Sequence, residues 1–289
     1  MNITVIGLGL IGGSFAKDLR NADQANVLIG YDTNPKHCEQ AVTLGLVDRT
    51  ENLEEACIDA DLIIVAVPVN VVQKVLPVVL DCCQDHATVI DVGSTKTMIC
   101  EVVRFHKKRN RFVASHPIAG TENSGPSAAL EGLFKNKVTI ICEQGRSAED
   151  ALAEAKKIFT MVGMRITYME PTEHDKHVAY VSHLSHVSSF LLGQTVLDIE
   201  DNEKNIFNLA GSGFASTVRL AKSSPDMWAP IFEQNSYYLK QALEEYIVHL
   251  QKFHQHLVRN ETLELKAIMQ RSNEIRRVLE GIELKNQEP

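Results

Sequence analysis

Gly7-Leu8-Gly9-Leu10-Ile11-Gly12 decides how this chain is read, because of what stands on either side of it. Ile3-Thr4-Val5-Ile6, before it, has the composition of a buried strand, and Gly13-Ser14-Phe15-Ala16-Lys17-Asp18-Leu19, after it, reads as a helix. Twenty residues past Gly12 a second apolar run, Val27-Leu28-Ile29-Gly30-Tyr31, ends in Asp32. Strand, glycine turn, helix, strand and acid make a dinucleotide-binding unit. Gly7 permits the tight turn, Gly9 lets the backbone approach a pyrophosphate, and Gly12 lets the helix pack close to its strand. Leu8, Leu10 and Ile11 complete the turn, whose free N–H groups and helix dipole favour phosphate. Asp32 would accept hydrogen bonds from a ribose 2′-hydroxyl and repel a 2′-phosphate, which favours NAD over NADP as the expected cofactor. The competing reading is a generic βαβ turn with Asp32 as a strand-end acid.

Outward from this unit, strands and helices alternate to about residue 170. Asn34-Pro35 opens a helix to Leu44, with Gly45 as its cap, and Val47 starts a short third strand. Asp61-Leu62-Ile63-Ile64-Val65-Ala66-Val67-Pro68 is a buried strand stopped by proline, which brings Val67 and Pro68 to the cofactor edge. Val69–Cys83 has helical spacing, Thr88–Val92 is a strand, and a helix is expected from there to about Lys107. Arg111–Ser115, Lys137–Cys142 and Arg165–Tyr168 are further strands, with a helix over 148–161. The expected fold is α/β, an N-terminal Rossmann-type, mostly parallel sheet over 1–170. From Pro171 no strand is expected. Thr172 caps a helix to about Ile199, Gly211-Ser212-Gly213 is a loop, and Pro225 opens one long helix to about His256, roughly 45 Å. Residues 171–289 thus read as an all-helical substrate and dimerisation domain, too elongated to close its own core, so a homodimer is expected.

Composition narrows the function classes. At 289 residues, 44% hydrophobic and 23% charged, the chain suits a globular protein of one large or two smaller domains. A net charge of −8 argues against nucleic acid or an anionic membrane as partner. No run is long enough to span a bilayer, and a first strand at residue 2 or 3 leads us to expect no signal peptide. Six scattered cysteines without a CxxC pair read as reduced thiols of a cytoplasmic protein.

Ligands of an open α/β sheet bind at the carboxyl ends of its strands. That rule selects Ser94 and His116. A neutral histidine beside a nicotinamide can take the proton of a carbinol, and a serine hydroxyl can orient it; the alternative for His116 is a structural strand-end histidine. In Ser182-His183-Leu184-Ser185-His186 the two histidines share a helix face, as substrate contacts or as polar residues at a domain seam. No acid or cysteine completes a ligand set with them, so no metal is expected. His174 and His177 repeat the spacing and read as solvated. Arg219, after the glycine loop, offers a fork for an anionic substrate, the alternative being a surface salt bridge.

Together these pieces resemble the prephenate/arogenate dehydrogenase family of tyrosine biosynthesis. The resemblance rests on Gly7–Ser14, Asp91-Val92-Gly93-Ser94-Thr95-Lys96, Ser115-His116-Pro117-Ile118-Ala119-Gly120-Thr121-Glu122, Ser182–His186, Arg219–Lys222 and Pro225-Asp226-Met227-Trp228. It implies NAD-dependent oxidative decarboxylation of prephenate, or of arogenate. It also implies His116 as hydrogen-bond acceptor for the substrate hydroxyl, Ser94 as its partner, and Arg219 as carboxylate binder. His186 and His183 become pocket residues, and Glu122 a gating acid. Where the family often has a proline between the two histidines, this chain has Ser185. Ser212 and Ser216 replace a glycine and an acid of the substrate-selecting loop, which leaves the two substrates open. Neither chorismate mutase helices nor an ACT-type domain is expected. A 3-hydroxyacid-type dehydrogenase, which relies on a second-domain lysine, and a non-catalytic NAD-binding sensor are the remaining alternatives.

Overall fold

A computed structural model describes residues 1–200, 203 and 205–287. The first part of the chain forms β1 (Asn2–Ile6), α1 (Leu10–Asn21), β2 (Val27–Tyr31), α2 (Pro35–Thr43), β3 (Arg49–Thr50), α3 (Leu53–Ile58), β4 (Leu62–Val65), α4 (Val69–Cys82), β5 (Thr88–Asp91), α5 (Thr97–Val102), β6 (Phe112–Pro117), β7 (Val138–Cys142), α6 (Glu149–Met161) and β8 (Arg165–Met169). The strands make one sheet in the order β3-β2-β1-β4-β5-β6-β7-β8. β1 to β6 are mutually parallel; β7 runs antiparallel to β6, and β8 parallel to β7. Val, Ile and Leu fill the central strands because both sheet faces are covered. One face packs against α1 and α6, where Phe15 stacks on Phe134 at 4.0 Å and meets Phe159 edge-on at 6.2 Å. The other packs against α4 and α5, through Val69, Val72, Leu76, Ile99 and Cys100.

Several boundaries differ from expectation. α1 starts at Leu10, with Gly9 in the cap position, so Gly12, the last glycine of the motif, lies inside the helix. β4 ends at Val65, and Ala66–Pro68 form the crossing into α4. The third strand is Arg49–Thr50, after Val47. The helix expected to reach Lys107 ends at Val102. β6 continues past Ser115 because antiparallel pairing with β7 extends it, His116 opposite Ile140 and Pro117 opposite Thr139.

The helical part consists of α7 (Pro171–Val178), a π-turn over Ala179–His183, α8 (Leu184–Glu200), α9 (Ser212–Val218), α10 (Pro225–Gln234), α11 (Ser236–Val258), α12 (Thr262–Ser272) and α13 (Arg276–Gln287). Glu170, not Thr172, occupies the cap position of α7, with Pro171 in the first turn where its missing N–H costs nothing. Ser212 and Gly213 lie inside α9, so the glycine loop is a helix start. The long helix from Pro225 is two helices broken at Asn235, which is 2% exposed. Its side-chain amide is drawn inward to the Asp175 carbonyl (2.7 Å) and to Nδ1 of His183 (3.0 Å). Packing divides the chain into Met1–Asn235 and Ser236–Pro289. The 170/171 boundary expected from the order of strands and helices does not coincide with this division, since Trp228 and Ile231 of α10 are buried in the core with α4. Among the described residues no helix is long and apolar enough to cross a membrane.

Candidate active site

Gly7, at the end of β1, has φ +93°, and a Cβ there would lie 2.4 Å from the Ala66 carbonyl oxygen and 2.9 Å from Cγ1 of Val67. At Gly12 a Cβ would lie 2.0 Å from the Gly7 oxygen and 2.9 Å from Cγ1 of Val5, so any side chain would force α1 away from β1. At Gly9, by contrast, a Cβ would meet nothing within 4 Å. The side chains of Leu8 and Leu10 are buried and Ile11 is partly buried, while the first-turn N–H groups of α1 have no helical acceptor. Pro68 stands in the cap position of α4 beside this turn. Asp32 follows β2 and bends toward the glycines. Its Oδ2 accepts the Leu8 N–H (3.0 Å) and its Oδ1 the Asn34 N–H (2.8 Å). Open space above free helix N–H groups, beside a fixed carboxylate, fits a dinucleotide.

Asp91 of β5 pairs with Ala114 of β6, so the segments that follow these residues leave the sheet at the same edge. Ser94 lies there, half-buried, on the loop into α5. Lys96, on the same loop, is fully buried and ion-paired with Asp91, and its Nζ also donates to the Ser115 carbonyl (2.6 Å). These bonds clamp the loop against the start of His116's strand segment. Nδ1 of His116 lies 2.8 Å from Nε2 of His174, and Nδ1 of His174 lies 2.8 Å from Oδ1 of Asp175. Asp175 also accepts the backbone N–H groups of Lys96 (2.8 Å) and Thr97 (2.9 Å), which pins α7 to the start of α5. Burial, then the neighbouring His174, Lys96 and His183, hold the His116 pKa well below the usual histidine value, so the ring is neutral at pH 7, although the residue as a whole is only partly buried. A neutral imidazole on this edge can accept a proton.

The π-turn sets the next two histidines. His183 is buried, accepts from Asn235, and is pushed down to about 4, chiefly by burial. His186 stacks on Trp228 with ring centroids 3.5 Å apart, and its Nδ1 lies 3.0 Å from the Ser182 carbonyl. Burial, offset in part by that carbonyl, lowers its pKa, and the charge of Arg219 lowers it further. Arg219, just after α9, is ion-paired with Glu122 at 3.2 Å. His116, His183, His186, Arg219 and Glu122 are thus linked by contact or by electrostatic influence. Ser212 is exposed in the first turn of α9, and among the described residues no hydrogen bond or ion pair joins it to this group.

Sequence reasoning gave no site role to His174, Asp175, Trp228 or Asn235. His174, expected to be solvated, is fully buried. A signal was present: Pro171, His174, Asp175, Val178 and Ala179 are the buried residues of α7 and its end, an i, i+3, i+4, i+7, i+8 stripe in which two polar residues stand at core positions.

Residues 15–168 match the family described as prephenate dehydrogenase, nucleotide-binding domain, and residues 170–271 the family described as prephenate dehydrogenase, dimerization domain. The chain is 28% identical over 253 residues to the cyclohexadienyl dehydrogenase of Zymomonas mobilis, covering 87% of this chain and 86% of that one. It is 28% identical to the prephenate dehydrogenase of Bacillus subtilis, covering 86% and 68%. Among solved structures, the prephenate dehydrogenase of Aquifex aeolicus in complex with hydroxyphenyl propionate and NAD+ superposes with a TM-score of 0.87 at 31% identity, covering 96% and 98%. The arogenate dehydrogenase of Synechocystis superposes with a TM-score of 0.75 at 30% identity, covering 96% and 100%.

Proposed function

The chain belongs to the prephenate dehydrogenase family, and on that premise we propose that it is an NAD-dependent oxidoreductase that converts prephenate to 4-hydroxyphenylpyruvate with loss of CO2. The observation that carries this reading is His116, neutral and partly accessible at the sheet edge that also presents the dinucleotide turn. Gly7, Gly9 and Gly12, the N–H groups at the start of α1, and Asp32 would hold NAD, with Val67 and Pro68 beside them. When bound, NAD supplies the hydride acceptor.

The protein's own residues supply orientation and one base. His116 takes the proton of the ring hydroxyl, a contribution of about 10²–10⁴-fold for a well-placed base. Ser94 reaches the same hydroxyl from the loop after β5. Arg219 binds a substrate carboxylate through its guanidinium fork, after Glu122 yields its place. His186, held flat on Trp228, and His183 line the pocket, and Ser212 stands at the start of the substrate-selecting helix. Departure of the ring carboxylate as CO2 makes the ring aromatic, which renders the reaction effectively irreversible.

We assign residues 1–170 to dinucleotide binding and 171–289 to substrate and dimer contacts. Exposed Ile247, Val248, Leu250, Leu257 and Val258 on α11 support a homodimer whose second copy covers them. A cytoplasmic setting is supported by six free cysteines. The test is formation of reduced nicotinamide with prephenate and arogenate in parallel, each with NAD and NADP. Turnover of prephenate with NAD is expected. Turnover of arogenate alone would reassign the substrate, and NAD binding without turnover of either would make the chain a sensor.

A further inference from the structure

Two side chains behind His116 make no contact that the proposed reaction requires, yet they settle its chemistry. An ionised carboxylate only accepts hydrogen bonds. Asp175 is kept ionised: burial would raise its pKa, but the bonds from His174 and Thr97 outweigh this and leave it below the usual carboxylate value. Oδ1 of Asp175 therefore accepts a hydrogen bond from the Nδ1–H of His174 across 2.8 Å. His174 is itself neutral, since burial lowers its pKa more than Asp175 restores it. Its second nitrogen, Nε2, then carries a lone pair, and the 2.8 Å contact with His116 can be a hydrogen bond only if His116 donates from Nδ1. A neutral imidazole has one proton. With Nδ1 protonated, Nε2 of His116 is the bare nitrogen.

We propose that His174 and Asp175 are positioning residues that fix His116 as the Nδ1–H tautomer, so that Nε2 is the atom that accepts the substrate's hydroxyl proton. The proposal rests on the reading of His116 as proton acceptor. In the step itself the O–H bond breaks, the proton forms a bond to Nε2, and the resulting imidazolium keeps its Nδ1–H on His174, whose own N–H points at the Asp175 carboxylate. The chain thus keeps an acceptor against the Nδ1–H of His116 throughout the step without contributing a proton. The other charged or titratable groups near it are His183 at the π-turn and Lys96 on the loop after β5, and the charge of Lys96 is balanced by Asp91. Neither is placed to fix the tautomer, because neither bonds to the ring.

The first test needs no turnover. In protein labelled with ¹⁵N-histidine, at a pH where His116 is neutral, its Nδ1 is expected to carry the proton and Nε2 to be bare. A neutral His116 protonated at Nε2 overturns the proposal. The second test uses three variants. His174→Leu removes the acceptor and is expected to lower kcat by about 10²–10⁴-fold, the scale set by loss of a base or of its orienting carboxylate, with KM for prephenate little changed. The acid limb of its pH–rate profile should also move, since His174 bonds the ring whose protonation sets that limb. His174→Gln keeps an acceptor oxygen and is expected to recover most of kcat. Asp175→Asn is expected to shift the acid limb in the same direction as His174→Leu. Loss of activity in proportion to loss of folded protein, with the acid limb unmoved and no rescue by glutamine, would show these residues to be only a clip between α5 and α7. His116→Asn is run beside them. If it keeps full kcat, the reading of His116 has failed; if it loses kcat while the His174 variants do not, only the positioning role has failed.

Discussion

Nη1 of Arg219 lies 3.2 Å from Oε2 of Glu122, an ion pair across 97 residues of chain that leaves the guanidinium side chain 54% exposed. Glu122 is held ionised by a bond from its own backbone N–H and by the charge of Arg219. Its carboxylate therefore occupies the partner that a substrate carboxylate would use. Glu122→Gln is expected to lower KM for prephenate by about two- to fivefold, the modest gain that loss of an exposed pair allows, with kcat unchanged. A higher KM in steady-state kinetics would make Glu122 a substrate contact and not a competitor.

Arg219→Gln removes the fork while keeping a polar side chain. Because the guanidinium is exposed in the free chain, its bond to substrate starts from a hydrated charge, and the loss should match one charge-assisted pair. KM for prephenate is expected to rise by about 10- to 100-fold with kcat less affected. Equal losses in kcat and kcat/KM would move Arg219 from binding to transition-state stabilisation.

Asp32 is fixed over the glycine turn by the N–H groups of Leu8 and Asn34. A carboxylate held there disfavours a 2′-phosphate by charge. Asp32→Ser should weaken NAD binding and shift the NADP/NAD ratio of kcat/KM toward NADP by at least about tenfold. An unchanged ratio would mean that Asp32 serves only to brace the turn.

Three histidines whose pKa burial lowers make stability depend on pH. His183 sits at about 4 in the folded chain against an ordinary 6.5, so between these values the unfolded chain binds more protons. Stability is full above about pH 6.5 and falls as pH drops toward 4, by about 1.4 kcal/mol per unit for this one group, on the order of 3 kcal/mol in all. His116 and His174 are shifted in the same direction by burial and add to the slope. Urea midpoints across this range should fall with pH in the unmodified chain and less steeply in His183→Gln. Parallel slopes would exclude His183 as a source.

The nucleotide turn was legible in the sequence because each glycine there answers a local demand, a left-handed φ at Gly7 and a close approach at Gly12. His116 was legible because strand-end position follows from chain order. The His174–Asp175 pair was legible only as two polar residues at core positions of the α7 stripe, and the partners that bury them come from the approach of α7 to the β5–α5 loop. The break at Asn235 was hidden for a related reason. The residues on both sides have helical spacing, and what ends α10 is a pair of acceptors supplied by residues 60 and 52 positions away.

Those acceptors give Asn235 a measurable cost. Its amide serves the Asp175 carbonyl, which also accepts the Ala179 N–H, and Nδ1 of the buried His183, so Asn235→Ala leaves the His183 nitrogen without a donor and should destabilise the chain by about 1–3 kcal/mol in urea denaturation. Asn235→Asp separates loss of packing from loss of the donor. A carboxylate cannot donate to Nδ1, but it can accept from it once His183 is protonated, and it would raise the pKa of that ring. The aspartate variant should therefore be about as unstable as the alanine variant at pH 7 and recover relative to it as the pH is lowered toward 5. If the two variants run parallel at every pH, His183 does not receive a hydrogen bond from Asn235, and the break between α10 and α11 must be held by the Asp175 carbonyl.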